Sequence, residues 1–295
     1  MATAQVFLIT GCSSGFGYVL VEHFLGAGHK VVATARDVSK VEGFVKKYPH
    51  TALALRLDVT DKASIQGAIE NTIQKFGRID VLINNAGFGV FNTAEALTEQ
   101  ELRSVMDTNY FGAVFTTQAV LPQMRKQRSG AIIQVSSVMG ATTFPAYSAY
   151  CASKFALAGF SEALAQEVAP IGIRVVITEP GCFKTGSGDK LSRPTAEAVE
   201  PYESIKQLLP LMNLMNGNEL GDPAKFAIAV EEILALEKPP LRIPIGNDSI
   251  STVRARVVKQ LEEIDAFKHI GSKTDFSPLT EGQRTLLKFF GIYQS

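Results

Sequence analysis

The stretch TGCSSGFG at residues 10–17 joins an apolar run, QVFLIT at residues 5–10, to a segment of helical period at residues 15–28. Glycine lets the backbone turn tightly and approach a pyrophosphate, and the first turn of a helix offers that group unpaired N–H donors and a positive dipole end. The spacing is G-x-x-x-G-x-G and differs from the commoner G-x-G-x-x-G pattern. A strand, a glycine turn and a helix in this order predict a nucleotide-binding site.

The rest of the chain repeats this alternation of short apolar runs and helical segments, which is typical of βαβ units. The apolar runs predict seven strands, near residues 5–10, 30–34, 52–57, 79–84, 130–136, 172–178 and 241–245. The segments between them predict helices at 15–28, 61–76, 98–126, 148–168 and 223–237. Parallel strands joined by right-handed crossovers give an α/β fold with a doubly wound sheet, whose ligands gather at the carboxyl ends of the strands.

The composition is that of an ordinary globular protein, with 46% hydrophobic and 20% charged residues among 295. Lys plus Arg equals Asp plus Glu at 29 each, so we expect small-molecule partners rather than nucleic acid or a membrane surface. The sequence shows no signal peptide and no apolar stretch of spanning length. Its three cysteines lack metal-ligand spacing, so no metal is expected and a reducing, cytoplasmic setting is favoured.

The second predicted strand ends in ATARD, at the place where dinucleotide folds choose between their two cofactors. An acidic residue there bonds the ribose 2′-OH of NAD, whereas a nearby Arg accommodates the 2′-phosphate of NADP. This chain has Ala35 in the acidic position and Arg36 after it. NADP(H) is therefore favoured, although Arg36 is also compatible with a solvated surface charge or a pair with Asp37.

The sequence YCASK at residues 150–154 sets Tyr150 and Lys154 four positions apart in a predicted helix, and so on one face of it. Such a pair is compatible with a structural contact or with an acid whose pKa is tuned by a cation. The two residues alone do not distinguish these interpretations.

Seven motifs in register resemble the short-chain dehydrogenase/reductase family. They are TGCSSGFG at 10–17, LDVTD at 57–61, NNAG at 84–87, DTNYFG around Asn109, VSS at 135–137, YCASK at 150–154 and EPGCFKTG at 179–186. The match is close over residues 5–185 and looser to about residue 245. The resemblance implies a seven-stranded Rossmann-type sheet and an NAD(P)(H)-dependent oxidoreductase.

The resemblance also implies a catalytic group. Tyr150 is then the general acid/base, and Lys154 lowers the pKa of Tyr150 and bonds the nicotinamide ribose. Ser137 orients the substrate carbonyl and is preferred to Ser136. Asn109 shapes a helix bend and a water link to Lys154.

The cofactor site is carried over in the same way. Asp58 is expected at the adenine edge, Asn85 at the adenosine or at a neighbouring strand, and Phe183 with Thr185 near the nicotinamide amide. The full expected set is Gly11, Ser13, Ser14, Gly15, Phe16, Gly17, Arg36, Asp58, Val59, Asn85, Tyr150, Lys154, Pro180, Phe183 and Thr185.

Two segments interrupt the alternation of strands and helices. Residues 186–221 are an insertion, which is compatible with a surface subdomain or with a lid over an apolar ligand. Residues 250–268 carry apolar side chains at spacings of three and four, which predicts an amphipathic helix that packs on the body or on a partner subunit. We therefore expect a dehydrogenase domain at 1–249 and, packed on it, a helical extension at 250–295.

The segment at residues 84–112 resembles the family's branch of steroid and retinol dehydrogenases and microbial ketoreductases, which implies a hydrophobic or aromatic substrate. Apolar residues after strands or in the insertion suit such a pocket. They are Phe88, Met139, Phe144, Phe183, Leu211, Met212 and Met215. The favoured function is an NADP(H)-dependent carbonyl reductase or alcohol dehydrogenase. A non-catalytic NADP sensor and an NAD(P)-dependent epimerase or dehydratase are the alternatives, and a homodimer or a homotetramer is expected.

Overall fold

The computed structural model describes residues 4–186, 194–289 and 291. The chain divides into two compact units, Met1–Val253 and Arg254–Ser295. The first unit holds the sheet and the candidate site. The second contains the C-terminal part of a long helix that begins at Asn247, followed by a short helix. The prediction that an extension from residue 250 packs on the dehydrogenase domain stays a prediction.

The described residues form a seven-stranded, all-parallel sheet in the order β3-β2-β1-β4-β5-β6-β7. The strands are β1 Val6–Ile9, β2 Lys30–Ala35, β3 Ala52–Arg56, β4 Val81–Asn84, β5 Gly130–Val135, β6 Ile173–Pro180 and β7 Arg242–Ile245. All seven predicted strands are present. The order reverses between β1 and β4, and this switch point opens a crevice at the carboxyl ends of those strands.

Outside the 186–221 insertion, helices join the strands as predicted, with three differences. They are α1 Gly15–Gly26, α2 Glu42–Lys47, α3 Lys62–Phe76, α4 Glu99–Met106, α5 Gly112–Gln127, α6 Ser148–Val168, α7 Ala196–Val199, α8 Glu203–Met215, α9 Pro223–Ala235, α10 Asn247–Gly271 and α11 Glu281–Phe289. The short helices α2 and α11 were not predicted, because so few turns carry little hydrophobic periodicity. The third difference is that the helix predicted at 98–126 is broken into α4 and α5 by a π-helical turn, Asp107–Phe111.

Local capping explains where several helices begin. Asp61 accepts from Ala63 N–H at the start of α3. Thr98 and Glu101 form a reciprocal capping box at the start of α4. Asp222 accepts from Ala224 N–H, and Pro223 occupies the first position of α9, as the sequence predicts.

The core lies on both faces of the sheet, because side chains alternate between the faces along each strand. On β1, Phe7 and Ile9 pack with residues of α1 and α9, including Phe24 and Phe226. Leu8 faces the other way, into a cluster with side chains of α3, α5 and α6. Helices on both faces bury the strands, so the site is confined to the strand ends.

The insertion at 186–221 contains α7 and α8, and its residues 187–193 lie outside the described part of the chain. Ile205 of α8 is buried together with Val199, Tyr147 and Cys151. The opposite side of α8 carries Leu211 and Leu214, which are more than half exposed. This helix therefore packs on the unit along one side only.

Candidate active site

A cavity of about 760 Å³ opens at the carboxyl ends of β1, β4, β5 and β6. Its wall includes Tyr150, Lys154, Ser137 and every expected cofactor residue except Gly17. Asn109 is the other predicted site residue outside the wall, and it contacts residues that line the cavity. The fold thus brings together residues that are far apart in sequence.

The glycine turn at one end of the cavity has no space for larger side chains. Gly11 has a φ of 72°, and a Cβ there would lie 2.8 Å from the Cα of Ala86. A Cβ on Gly17 would lie 2.3 Å from the carbonyl oxygen of Gly11. Asn85 donates from Nδ2 to the carbonyl oxygens of Thr10 and Gly11 at 2.8 and 3.0 Å. Of the two places expected for Asn85, the structure shows the contact with the neighbouring strand end.

This turn fits the pyrophosphate of a dinucleotide. It leads from β1 into α1, whose first turn begins at Gly15, and Ser13, Ser14, Gly15 and Phe16 line the cavity. Gly15 lies so close to Thr185 that a Cβ at Gly15 would be 3.2 Å from the Thr185 Cβ. A backbone turn of this kind brings N–H groups and a helix dipole to an anionic ligand. The turn and Thr185 would hold the cofactor from two sides.

Arg36 lies at the carboxyl end of β2, where it lines both the main cavity and a smaller recess formed with Ser13, Ser14, Asp37 and Lys40. Asp37 accepts from the backbone N–H and the hydroxyl of Ser39 at 3.1 and 2.7 Å. No ion pair joins Arg36 to Asp37 in the described part of the chain. Arg36 therefore shares this recess with the side chains of Ser13 and Ser14.

Asp58 and Val59 follow β3 and line the same side of the cavity. Asp58 accepts from the N–H and the hydroxyl of Thr60 at 3.0 and 2.7 Å. Burial acts to raise the pKa of Asp58, but these hydrogen bonds and the charges of Arg36 and Arg56 outweigh it and lower the pKa. The carboxylate is held ionised and fixed, as an acceptor for a ligand donor must be.

Tyr150 and Ser137 meet at the middle of the cavity. Tyr150 stands near the start of α6, and Ser137 follows β5 and accepts from Met139 N–H at 3.1 Å. Ser137 lies close enough to Tyr150 to act on its phenolate as a hydrogen-bond donor, which lowers the pKa of Tyr150. Ser136 has no such contact, because its buried Oγ lies without a hydrogen-bond partner on the side of Gly140. The geometry agrees with the preference for Ser137.

Burial dominates the titration of the Tyr150–Lys154 pair. It raises the pKa of Tyr150 to about 12, against the hydrogen bond from Ser137. It also lowers the pKa of Lys154 to about 8. Lys154 Nζ lies 5.7 Å from the centre of the Tyr150 ring and donates to Val135 O at 2.8 Å. Desolvation of the phenolate is the largest influence on the pKa of Tyr150 in this structure. The lowering of that pKa by Lys154 stays a prediction.

Asn109 is buried in the π-helical turn between α4 and α5, where the family resemblance implies a helix bend. Its Oδ1 accepts from Phe88 N–H at 3.0 Å, and its Nδ2 donates to Phe88 O at 2.9 Å and to Ser153 Oγ at 3.0 Å. A Cβ on Gly87 would lie 3.0 Å from Asn109 Oδ1 and 3.5 Å from Lys154 Nζ. Asn109 thus ties the 87–88 loop to α6 beside Lys154; the water link stays a prediction.

The other end of the cavity is mainly apolar. Of the predicted substrate residues, Phe88, Met139, Phe183, Met212 and Met215 line it. Phe144 and Leu211 are exposed and do not. Phe183 packs against Phe16 and Phe226, at centroid distances of 5.1 and 5.9 Å, so it also belongs to the core. The sequence analysis missed Phe91, Tyr147, Cys182, Leu209, Asn216 and Glu219, because no local pattern shows which side of a loop faces a distant strand end.

Two further residues support the site without lining it. Asp248, near the start of α10, accepts from Cys182 N–H at 2.6 Å and fills the space beside Gly181. Arg242 of β7 forms ion pairs with buried Glu179 and with Glu162, and donates to Gly140 O at 2.9 Å. Both hold backbone that precedes or follows cavity residues. Glu179 and Arg242 could have been singled out from the sequence, because each is a charged residue inside an otherwise apolar strand.

The sequence pattern of the short chain dehydrogenases matches residues 5–196. The chain belongs to the short-chain dehydrogenase/reductase family. It is an oxidoreductase of this family, with the fold that the motifs predict.

Individual members of the family resemble the chain over most of its length. A 3-ketodihydrosphingosine reductase of Bacteroides thetaiotaomicron is 41% identical over 244 residues, which are 82% of this chain and 88% of that protein. A short-chain dehydrogenase from Streptomyces avermitilis has a solved structure that is 37% identical, with a TM-score of 0.84 over 93% of this chain and 100% of that one. ElxO, whose structure contains NADP, is 27% identical, with a TM-score of 0.70 over 84% of this chain and 100% of that one.

Two further findings concern other classes of ligand and setting. No helix in the described part of the chain is long and apolar enough to cross a membrane. Residues 4–186 and 194–291, apart from 290, contain no group of three His, Cys, Asp or Glu side chains placed to hold a metal ion.

Proposed function

We propose that the protein is an NADP(H)-dependent reductase of apolar ketones or aldehydes, with Tyr150 as the general acid. The observation that carries the proposal is the Tyr150–Ser137 pair, buried where the glycine turn and the apolar wall share one cavity. A bound reduced nicotinamide supplies a hydride. The chain must then supply a proton at the carbonyl oxygen, a way to orient that oxygen, and exclusion of water.

The titration of Tyr150 supports the reductive direction. A phenol with a pKa of about 12 carries its proton at neutral pH, so it is present in the form that donates. A carbonyl oxygen that accepts from both Ser137 and Tyr150 is oriented by the first and protonated by the second. The ammonium of Lys154, with Nζ 5.7 Å from the centre of the ring, favours the phenolate that is left.

Arg36 supports the choice of NADP(H). No carboxylate occupies position 35, and Arg36 forms no ion pair among the described residues, although its charge acts on Asp58. Arg36 and Lys40 line one recess, and a guanidinium and an ammonium placed in this way suit a phosphate. The NADP in ElxO is a property of that protein; for this chain the choice rests on Arg36.

The apolar wall supports the substrate class. Phe91, Met139, Leu209 and Met212 line the end of the cavity beyond Tyr150. Methionine side chains adapt to ligands of different shape. The name of the Bacteroides relative, a keto-group reductase, is consistent with this class. A homodimer or homotetramer remains a prediction, and exposed Phe111 and Phe155 are candidates for such contacts.

Tyr150→Phe tests the proposal. It should lower turnover of an accepted ketone by about 100- to 10,000-fold while NADPH binding, measured by calorimetry, is kept. Tyr110→Phe is the matched control, because Tyr110 stacks on Phe111 away from the cavity and should leave turnover unchanged. Near-wild-type turnover in Tyr150→Phe would overturn the role of Tyr150. Binding of NADPH without turnover of any ketone by the wild type would favour the sensor alternative.

A further inference from the structure

Glu219 is a carboxylate in the substrate end of the cavity that the proposed reduction does not use. It lies in the loop between α8 and α9, close to Met215 and Asn216 in the cavity wall. Its Oε2 is buried and has no hydrogen-bond partner. Among the described residues, no Lys or Arg forms an ion pair with it.

The surroundings of Glu219 make an unpaired oxygen costly. The cavity wall that includes Glu219 also includes the apolar side chains of Phe91, Leu209 and Met212. A buried acceptor loses its hydrogen bonds to water and destabilises the protein unless a donor replaces them. Unsatisfied buried groups are rare in native proteins, and each one calls for a partner such as a ligand, an ion or an ordered water.

The charge of Glu219 acts on a second cavity residue, the thiol of Cys182. Cys182 lines the cavity next to Gly181, and the pKa of its thiol is raised to about 11 by burial, by Asp248 and by the charge of Glu219. Asp248 is already engaged with the backbone N–H of Cys182. Of these two carboxylates, Glu219 is the one with an oxygen left for a ligand.

We propose that Glu219 determines substrate specificity by accepting a hydrogen bond from a protonated amino group on the substrate. The proposal rests on the proposed function, and it narrows the substrate class to apolar ketones or aldehydes that carry an amine. An ammonium is favoured over a hydroxyl because its charge-assisted hydrogen bond also neutralises the carboxylate. The apolar wall contacts the rest of the substrate, while the carbonyl lies at Tyr150.

A matched pair of ketones tests the proposal. Phenacylamine and propiophenone share the aryl ketone and differ in an ammonium against a methyl group. Wild-type kcat/KM should favour phenacylamine, and Glu219→Gln should reduce that preference roughly 10- to 100-fold while leaving propiophenone unchanged. Glu203→Gln is the matched control, because the Glu203 side chain is exposed on α8 and should change neither ketone.

Three results would overturn the proposal. They are an unchanged preference in Glu219→Gln, an equal loss for both ketones, and a raised KM for NADPH, which would place the contact on the cofactor. Calorimetry with the product analogues phenylethanolamine and ethylphenylcarbinol separates this test from the proposed function. If neither ketone is reduced, the proposed function fails. The carboxylate–amine contact is still supported if Glu219→Gln binds phenylethanolamine more weakly than the wild type does and binds ethylphenylcarbinol equally well. Equal binding of phenylethanolamine to both proteins refutes it.

Discussion

The two ends of the cavity are built from different kinds of structure. At the nucleotide end, backbone atoms of residues 10–17 and of the 84–87 segment approach within van der Waals contact, so the shape is set by glycines. At the other end the wall is formed by side chains of α8 and its neighbouring loops, and α8 is half exposed. A wall made of backbone atoms suits a ligand group that is the same in every reaction, such as the pyrophosphate of a cofactor. A wall made of long side chains can be altered by substitution to suit different substrates.

Gly17→Ala should weaken cofactor binding at the nucleotide end of the cavity. Its new Cβ would lie 2.3 Å from the carbonyl oxygen of Gly11 and 2.9 Å from the Cα of Cys12, and these backbone atoms cannot swing aside. Overpacking costs about 3 kcal/mol at the upper end of its usual range, so NADPH binding should weaken roughly 100-fold in a calorimetric titration.

Gly67→Ala is the control for that experiment. Gly67 lies in α3 with no heavy atom within 4 Å of the new Cβ, so this change should keep cofactor binding and gain about 0.5–1 kcal/mol of stability. If Gly17→Ala binds NADPH as the wild type does, the nucleotide end is not the rigid wall described above.

Arg36→Ala combined with Ala35→Asp should change the cofactor and leave the substrate end intact. The 2′-phosphate loses a charge-assisted contact worth about 1.5–3 kcal/mol, so KM for NADPH should rise by about 10- to 100-fold while KM for NADH falls. The order of preference among ketones should stay the same. Equal wild-type KM values for NADPH and NADH would remove the basis of this prediction.

Lys154→Met tests how Lys154, which lies between the two ends of the cavity, affects stability as pH changes. A buried lysine whose pKa falls from 10.5 to about 8 destabilises the folded state while it is protonated there, and this cost disappears as pH rises through the window from 8 to 10.5. The variant should therefore have a higher Tm than the wild type below pH 8. The advantage should shrink between pH 8 and 10.5.

Turnover should fall in the same variant, although its Tm rises, because the ammonium near Tyr150 is lost. A Tm difference that does not depend on pH would mean that the depressed pKa of Lys154 is wrong. Scanning calorimetry over this pH range decides the point.

Met212→Ala should have the smallest effect on stability and should act on substrate choice. Met212 is only partly buried, so the expected loss is about 1 kcal/mol, below the 2–5 kcal/mol of a fully buried site. The ranking of ketones of graded size should shift severalfold. Ile205→Ala, on the buried side of α8, is the control and should lose stability without changing the ranking.

This pair of variants also tests whether the 186–221 insertion is a lid. Unchanged ranking in Met212→Ala together with a large drop in Tm would mean that α8 only packs on the body.

Comparison of particular residues shows how far the sequence predicts the site. Gly11, Gly15 and Gly17 were predictable because a phosphate turn after a strand imposes its own local spacing. Tyr150 and Lys154 were predictable as a pair from helical periodicity, and Ser137 from the family resemblance. Phe144 and Leu211 were placed wrongly, because periodicity gives the apolar face of a segment but not the object it faces.

The sequence by itself determined the α/β class, the seven strands and the glycine turn, because these depend on local periodicity and backbone conformation. Only the tertiary structure decided three other features: the raised pKa of Tyr150, the unpaired oxygen of Glu219 and the support of the site by Arg242 and Asp248. Each depends on burial or on a partner more than 30 positions away in the chain. Desolvation and hydrogen-bond satisfaction are properties of a packed environment, and no short stretch of sequence contains that environment.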